Sequence, residues 1–590
     1  MIVAMKKVFL LMHNDSGPAA LERLRELGIV HVEHENVPAG IELNEINEKL
    51  NLIEAARTVL AQVSPKQPAK IAHAPEDWIT VCRHIIDLQK RYDQLREFSV
   101  SLHSGIDLWE HWGDFDPAQI KALQQENVFI RLYQIPKDKI KGLAHEIVLK
   151  EISPEDGAVN CLAASLGNIE LGFKEIELPK LSLSQMQNRI SEDAKIMQEI
   201  REEIAGHLVF QNELISAENS FLSQKDFYSV LKGMGRAEEL VYLKGYVPVD
   251  AEKMLVKQAK INDWGILTVT PGADDAVPTL VRNPAWVKLI RPVLKLLEIV
   301  PGYNELDISP LFLIFFSLFF GIIIGDAGYG LLYLIITFIV DKKMGKKIKD
   351  KTAIFLFYVL SSCAIIWGVI SGTFFGQAWL AHLGIKPLVP LLNNIFFVQA
   401  LCFLIGAIHL SIAHSWRLAL KLPALIALAD LGWISIIWAA FFLAKNLLLG
   451  DPFPLFGKWL IYGGISLVIL FTSPQKNILK GIGEGLAAIA LGLVNNFTDV
   501  VSYVRLFAVG LAGVAIADAF NVMAAGGGAK DAGAIISCVL ILIAGHTLNF
   551  ILGPMSVLVH GVRLNVLEFC SHANVSWSGF EYKPFSKKEK

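Results

Sequence analysis

Residues 309–340 read SPLFLIFFSLFFGIIIGDAGYGLLYLIITFIV. One membrane helix needs about 20 apolar residues to cross a hydrocarbon core of ~30 Å, and this run is longer. Its middle, GIIIGDAGYG (321–330), sets Gly325, Gly328 and Gly330 around Asp326, which is turn chemistry inside an apolar run. The flanks decide what the turn does. The following loop, DKKMGKKIKDK (341–351), carries six lysines and belongs on the cytoplasmic side by the positive-inside rule. Residues 1–308 are charged throughout and open without a cleavable signal, so they are expected on that same side. A segment with both ends on one side crosses twice or not at all. Two short helices joined at Asp326 satisfy both facts.

Outward from this hairpin, apolar segments occupy 352–374, 394–416, 423–444, 457–472, 481–525 and 532–569, which brings the expected count to eight membrane helices. Arg417, Lys421, Lys476, Lys480, Lys583, Lys587, Lys588 and Lys590 then fall on the inner side. Lys386, Lys445, Lys458 and Lys530 fall on the outer side, and both termini are cytoplasmic. At ~1.5 Å per residue the last two segments run roughly 65 and 55 Å, so they tilt steeply or protrude. The whole-chain average, 53% hydrophobic and 19% charged with a net charge of −3, hides this division into a soluble half (1–308) and a membrane half (309–590).

The composition also excludes chemistry. Cys82, Cys161, Cys363, Cys402, Cys538 and Cys570 show no paired spacing, so neither a disulfide framework nor a zinc site is expected, and no metal or cofactor is assigned. No GxxxxGK[ST] loop occurs, so ATP hydrolysis is not assigned to this chain; GGGAKDAG (526–533) reads as a link between spans.

In the soluble half, KKVFLLMHND (6–15), GPAALERLRELG (17–28) and IVHVEHE (29–35) read as strand, helix and strand. Leu43, Ile46, Leu50, Ile53 and Leu60 follow heptad spacing, as do Ile85, Leu88, Tyr92, Leu95 and Leu102, and Ile190, Met197 and Ile204. NVFIRLYQI (127–135), HEIVLKEI (145–152) and LVYLKGYVPV (240–249) alternate as strands do. The fold class is therefore an α+β cytoplasmic domain, two α/β lobes joined by an antiparallel coiled coil, followed by an all-α polytopic membrane domain. His31, His34, His84, His103 and His207 stand singly, in surface or core roles.

One charge in the membrane half demands an explanation. From Leu486 to Leu511 the ionised side chains are Asp499 and Arg505 alone. An arginine at the centre of a span costs roughly 2.5–3.5 kcal/mol on insertion scales, and its pKa above ~12 leaves it no neutral form. Asn495, Thr498, Asp499, Ser502 and Arg505 fall within about 120° of one another on a helix. On the last helix His546, Asn549, Gly553, Ser556, His560 and Arg563 make a second stripe, broken by Gly553-Pro554. Asp499 is six residues from Arg505, a poor separation for direct pairing on one helix. Ala508, Ala512, Ala515 and Ala519 leave a smooth face beyond the arginine. Intramembrane ionisable groups in such stripes suggest an ion pathway.

SYVRLFAVGLAG (502–513), GHTLNFILG (545–553) and VHGVRLNVLEF (559–569) resemble the last two helices of subunit a, called subunit I in bacteria, of rotary V/A-type ATPases. ELDISPLFLIFFSLFFGIIIGDAGYG (305–330) is similar to that family's first membrane hairpin. LKGYVPVDAEKM (243–254) and VPTLVRNPAW (277–286) resemble the end of its cytoplasmic domain. The resemblance implies a non-catalytic stator. A proteolipid ring would turn against it, peripheral stalks would dock its cytoplasmic lobes, and a soluble ATPase head would work through those stalks. It implies that Arg505 is the essential arginine, Arg563 the second one, and His560 the polar residue a turn before it. Eukaryotic relatives place acidic residues where this chain has Leu491 and Gly553; Asp499 and Glu568, on the same two helices, are the candidates to supply those carboxylates instead. The competing reading, a secondary transporter with a regulatory domain, expects an internal repeat with broken helices in both halves, and none is visible. No reading here involves nucleic acid.

Overall fold

The computed structural model describes residues 1–63, 77–142, 147–155, 158–167, 171–346, 348, 350–376, 388–475, 477–526 and 532–587. Lys386, Lys476, Lys530, Lys588 and Lys590 lie outside the described residues, as do the first two residues of HEIVLKEI and most of the GGGAKDAG link. Nine strands occur among those described: β1 (Met5–His13), β2 (His31–Glu33), β3 (Phe129–Pro136), β4 (Val148–Glu155), β5 (Ala158–Ser165), β6 (Lys174–Ile176), β7 (Gly235–Ala237), β8 (Leu240–Pro248) and β9 (Gly265–Val269). The chain divides into two compact units, Leu11–Gly28 with His34–Leu243 and Phe585–Lys590, and Met1–Leu10 with Ile29–Glu33 and Lys244–Pro584.

The first unit holds an antiparallel sheet ordered β4-β5-β3-β6, with Tyr133 opposite Cys161. Alternation sends Tyr133, Ile135, Val159 and Cys161 to one core, while Leu132 packs with Trp109, Trp112 and Met186 on another. Four long helices accompany it: α1 (Ile41–Ala61), α2 (Trp78–Trp109), α3 (Leu183–Gly206) and α4 (Gln211–Gly233). α3 starts with a reciprocal capping box between Ser182 and Gln185. The heptad residues face inward: Ile53, Leu60, Ile85, Leu88 and Ile204 share one core. Ion pairs fix the direction of the helices. Arg57 meets Glu218 while Glu42 meets Lys232, so α1 and α4 run antiparallel. On α2 and α3 His84 meets Glu203, and Gly105 lies beside Met186, which gives the same sense. His84 and His207 are not solitary as expected, since their rings lie 5.4 Å apart beside Glu203.

The second unit carries a sheet ordered β2-β8-β1-β9, with Val32 opposite Gly245. Its long apolar helices are α5 (Ser309–Ile324), α6 (Ala327–Met344), α7 (Thr352–Ser371), α8 (Ile395–Lys421), α9 (Ala427–Leu449), α10 (Leu455–Phe471), α11 (Ile478–Ser502), α12 (Val504–Gly526) and α13 (Ala532–Ser556). Five helical stretches are long and apolar enough to cross a membrane: Thr352–Ser371, Ile395–Lys421, Ala427–Leu449, Leu479–Gly526 and Ala532–Ala573. Ser309–Ile324 and Leu455–Phe471 are shorter apolar helices. The turn foreseen at Asp326 is present. Gly325 takes φ 65°, where a side chain would be strained. Asp326 Oδ1 accepts Gly328 N–H (2.7 Å) and Tyr329 N–H (3.2 Å), and Oδ2 accepts Gly376 N–H (3.0 Å), so the buried carboxylate caps α6 and ties down a second turn. α7 presses backbone to backbone on this turn at Gly368, where a Cβ would lie 2.0 Å from Ala327 N.

Two further devices shape the final helix. Pro554 supplies no N–H to the Phe550 carbonyl four residues back, and Tyr333 Oη donates to that carbonyl instead, at 2.6 Å. Beyond it Val557–Gly561 and Leu564–Phe569 are π-helical. After Ala573 the chain leaves the helix and Glu305 fastens it. The carboxylate accepts Ser576 N–H (3.0 Å), Ser576 Oγ (2.5 Å), Trp577 N–H (3.2 Å), Ser578 Oγ (3.2 Å) and its own neighbour Gly302 N–H (2.7 Å).

Burial alone would raise the pKa of Glu305, but hydrogen bonds from the Ser576 hydroxyl, Gly302 N–H, Ser576 N–H and Ser578 outweigh it and hold it below the ordinary value. A carboxylate depressed on folding stabilises above its unfolded pKa, and that contribution is lost as pH falls through the folded value. Amide exchange across 576–582 is therefore expected to stay slow at neutral pH and to accelerate only below the ordinary glutamate range. Since charge-assisted hydrogen bonds are worth about 1.5–3 kcal/mol each, Glu305→Ala at neutral pH is expected to speed that exchange at least about tenfold. Unchanged exchange would show that the tail is held by something else.

Candidate functional site

The last two apolar segments supply the site. α11 and α12 form one apolar helical stretch interrupted at Tyr503, where Tyr503 N–H bonds to Val500 O (3.3 Å) and Leu506 N–H to Tyr503 O (3.1 Å). These i to i−3 bonds tighten the turn. In an unbroken α-helix Leu506 N–H would go to Ser502 O; here that carbonyl accepts Arg505 Nε at 3.0 Å instead. Tyr503 Oη and His409 Nδ1, 2.8 Å apart, anchor the break, and His409 is stacked between Phe315 and Phe569.

On the facing helix the π turns change which residues meet. Residues five apart would lie about 140° from one another on an α-helix, but the i to i+5 pattern brings them to one face. Arg563 Nε accordingly lies 3.6 Å from Glu568 Oε1. The same oxygen accepts Arg505 Nη2 at 2.5 Å and Ser502 Oγ at 3.2 Å. Glu568 is buried, and its Oε2 has no hydrogen-bond partner among the described residues. One carboxylate thus serves both arginines.

Asp499, the charge nearest in sequence, is not the partner of Arg505; its Oδ2 lies 3.1 Å from His572 Nε2. Asn495, Asp499, Arg563, Glu568, Ser571 and Trp577 line an open cavity of ≈ 540 Å³. His572 continues inward to His414 (2.9 Å), and His414 to Asp430 (3.2 Å), which also receives Lys421 Nζ at 2.6 Å.

His546 and Asn549 belong to another group. His546 Nδ1 lies 2.6 Å from Tyr329 Oη and its Nε2 3.1 Å from Asn521 Oδ1, while Asn549 Nδ2 donates to Gly513 O at 2.9 Å. The side chains of Ser556 and His560, between the groups along the chain, are half-buried and make no hydrogen bond among the described residues. Of the ten candidates, the structure gathers Asn495, Asp499, Ser502, Arg505, Arg563 and Glu568 in one place and His546 and Asn549 in another. It adds Tyr329, His414, Asp430, Tyr503, Asn521 and His572, which the sequence reading missed. The rule that singled out Arg505, an ionisable group inside an apolar run, also applies to His414 and Asp430. Tyr503, Asn521 and His572 carry no such signal.

No family model matches the chain. Among curated proteins it is similar to the V-type ATP synthase subunit I of Borreliella burgdorferi, 30% identical with 100% of both chains covered. The V-type ATP synthase subunit I 1 of Treponema pallidum is 28% identical, again with 100% of each chain covered. The A-type ATP synthase subunit I of Methanocaldococcus jannaschii is 27% identical over 79% of this chain and 69% of that one. Among solved structures, a crystal structure of the cytoplasmic N-terminal domain of subunit I, homolog of subunit a, of V-ATPase covers 45% of this chain and 100% of its own, at 18% identity and a TM-score of 0.24.

Removing one member of a buried ion pair costs about 3–5 kcal/mol, because the other charge is left uncompensated. Glu568→Ala is therefore expected to lower the thermal midpoint of the purified protein, read by the reactivity of the buried thiols Cys402 and Cys570. Combining it with Arg505→Ala is expected to recover part of the loss. An unchanged midpoint for Glu568→Ala alone would show that the arginines do not depend on this carboxylate.

Proposed function

This chain belongs to the subunit I family of V- and A-type ATP synthases, and from that premise we propose that it is the membrane stator of a rotary machine, supplying two ion half-channels and the arginine that separates them. The observation that carries the reading is the setting of Arg505. It is held by the Ser502 carbonyl and Glu568, and beside it Ala508, Ala512, Ala515 and Ala519 form an exposed row on α12. Polar groups lie at both ends of that row. About 24 Å of helix separates Arg505 from Asn521 at ~1.5 Å per residue. Between them α12 packs tightly on α5, with a Cβ at Gly510 falling 2.7 Å from Ile322 O. An ion entering at either polar group needs a moving carrier to reach the other.

A ring of proteolipid subunits, each bearing one carboxylate, would be that carrier, rolling on the small-residue face. A fixed guanidinium favours the ionised form of a neighbouring carboxylate, lowering its pKa by about 1–3 units. A loaded carboxylate then releases its ion on facing Arg505 and reloads from the other half-channel. Guanidinium offers five donors; Arg505 spends two on Ser502 and Glu568, leaving the rest for the passing carboxylate. The cavity beside Asp499 and Glu568 serves as the inner half-channel, and the group around His546 as the outer one. Catalysis of ATP turnover belongs to other subunits, reached through peripheral stalks that dock residues 1–308, whose long helices act as a coiled-coil strut. Residues 309–590 cross the lipid eight times: α5 and α6 as a hairpin, α7 to α10 singly, α11 with α12 as one bent span, and Ala532–Ala573 as the last. Both termini are cytoplasmic.

In vesicles reconstituted with the whole complex, Arg505→Ala is expected to abolish ATP-driven ion uptake, and Arg505→Lys to leave little, because a poorly hydrated lysine loses its proton and lacks the planar fork. The subunits are expected to co-purify in both variants. If Arg505 only balanced Glu568, the double variant with Glu568→Gln would pump normally; near-normal uptake by Arg505→Ala would refute the gate. Topology is tested by single cysteines in a cysteine-free background. Positions Lys346 and Lys480 are expected to be protected from impermeant thiol reagents added outside cells, and Lys386 and Lys530 to be labelled. The opposite pattern would reverse the orientation.

A further inference from the structure

On the reading that this chain walls an ion half-channel, we infer that His572 and His414 form a proton-holding pair that loads and unloads through Asp499, and hence that the ion moved is a proton. The groups stand in one line. Asp499 Oδ2 is 3.1 Å from His572 Nε2, His572 Nδ1 is 2.9 Å from His414 Nε2, and His414 Nδ1 is 3.2 Å from Asp430 Oδ1. His414, His572 and Asp430 are 3%, 6% and 1% exposed, so Asp499 is the member that reaches the cavity.

Counting hydrogens decides what such a line can do. Each of its three links needs one hydrogen, and ionised carboxylates supply none. Two neutral imidazoles carry one N–H each. The complete line therefore holds one proton more than its neutral parts, shared between the two rings. The charges facing it are Arg417 and Lys421 on α8, Asp430 on α9, Asp499 on α11, and Glu568 on the last helix, already engaged by Arg505 and Arg563; His409 and Tyr503 lie beyond. The surplus proton leaves at Asp499, the member that reaches the cavity, and the link it empties is the one between Asp499 and His572, where cavity water takes its place. Asp430 keeps Lys421 Nζ at 2.6 Å, Arg417 Nε at 3.4 Å and His414 Nδ1–H throughout.

The step balances. His572 Nε2 gives its proton to the Asp499 carboxylate, which becomes a carboxylic acid. His572 Nδ1 takes the shared proton from His414 Nε2, and His414 keeps Nδ1–H. Both rings end neutral, and Asp499 returns to carboxylate by passing the proton to cavity water. Refilling is the reverse. The pair is thus a store beside the half-channel, which matters most when protons are scarce. Its imidazole nitrogens do not suit a hard cation such as sodium, which takes oxygen ligands.

The test is ATP-driven acidification of vesicles carrying the complete complex, head outward, across external pH from about 6 to 9. With the store removed by His572→Gln, the alkaline limb of the rate profile is expected to move down by about one unit, with rates at the acid end within about twofold of the parent. His414→Gln leaves the wall of the half-channel untouched and is expected to give the same shift; it decides the matter where His572→Gln does not assemble. A profile lowered equally at every pH, or unchanged in an assembled variant, overturns the proton store. Uptake of radioactive sodium without acidification, still abolished by Arg505→Ala, overturns the proton assignment while leaving the stator reading intact.

Discussion

A guanidinium inside an apolar helix pair cannot shed its charge, so something fixed must neutralise it. Glu568 does so, and it does so for Arg505 and Arg563 together through a single oxygen. Two like charges on facing helices would otherwise repel in a medium that screens them poorly. The shared carboxylate turns that repulsion into a clasp between the helices. It also leaves the clasp incomplete, because the second carboxylate oxygen is unpartnered and both arginines retain free donors. A site so arranged can exchange one anionic partner for another without any charge being stranded.

The clasp depends on backbone irregularity. The break at Tyr503 hands the Ser502 carbonyl to Arg505, and the π turns after Pro554 bring Arg563 and Glu568 to one face. Each distortion is held by a side chain from another helix or from a neighbouring turn. Tyr333 repairs the carbonyl that Pro554 cannot serve, and His409 holds Tyr503 from behind. In a low-dielectric interior these repairs are what make the distortions affordable.

The hairpin at Asp326 plays the same part at the second polar group. Its carboxylate saturates three backbone N–H groups, and Tyr329, two residues from the Gly325 turn's far side, reaches His546. The turn that separates α5 from α6 is thus also the element that sets an imidazole in place. Glu305 does comparable work on the tail, collecting the chain just past His572.

Much of this was legible in one dimension. Apolar runs, lysine-rich loops and the glycines around Asp326 are local signals, because hydrocarbon thickness and turn sterics act on consecutive residues. The heptads reported inward-facing helix positions for the same reason. The two polar stripes and Arg505 could be named because a charge among apolar neighbours is costly wherever the chain goes. What sequence could not assign was partnership. Helical geometry at 100° per residue sets Arg563 and Glu568 apart, and only the π turns join them. Arg505 had a carboxylate six residues away and took one 63 residues away. His572, His414 and Asp430 come from separate segments, and their alignment exists only once those segments pack. Local sterics and solvent preference are written into the chain, whereas counter-ion choice is decided by distance in the folded protein, which the order of residues does not specify.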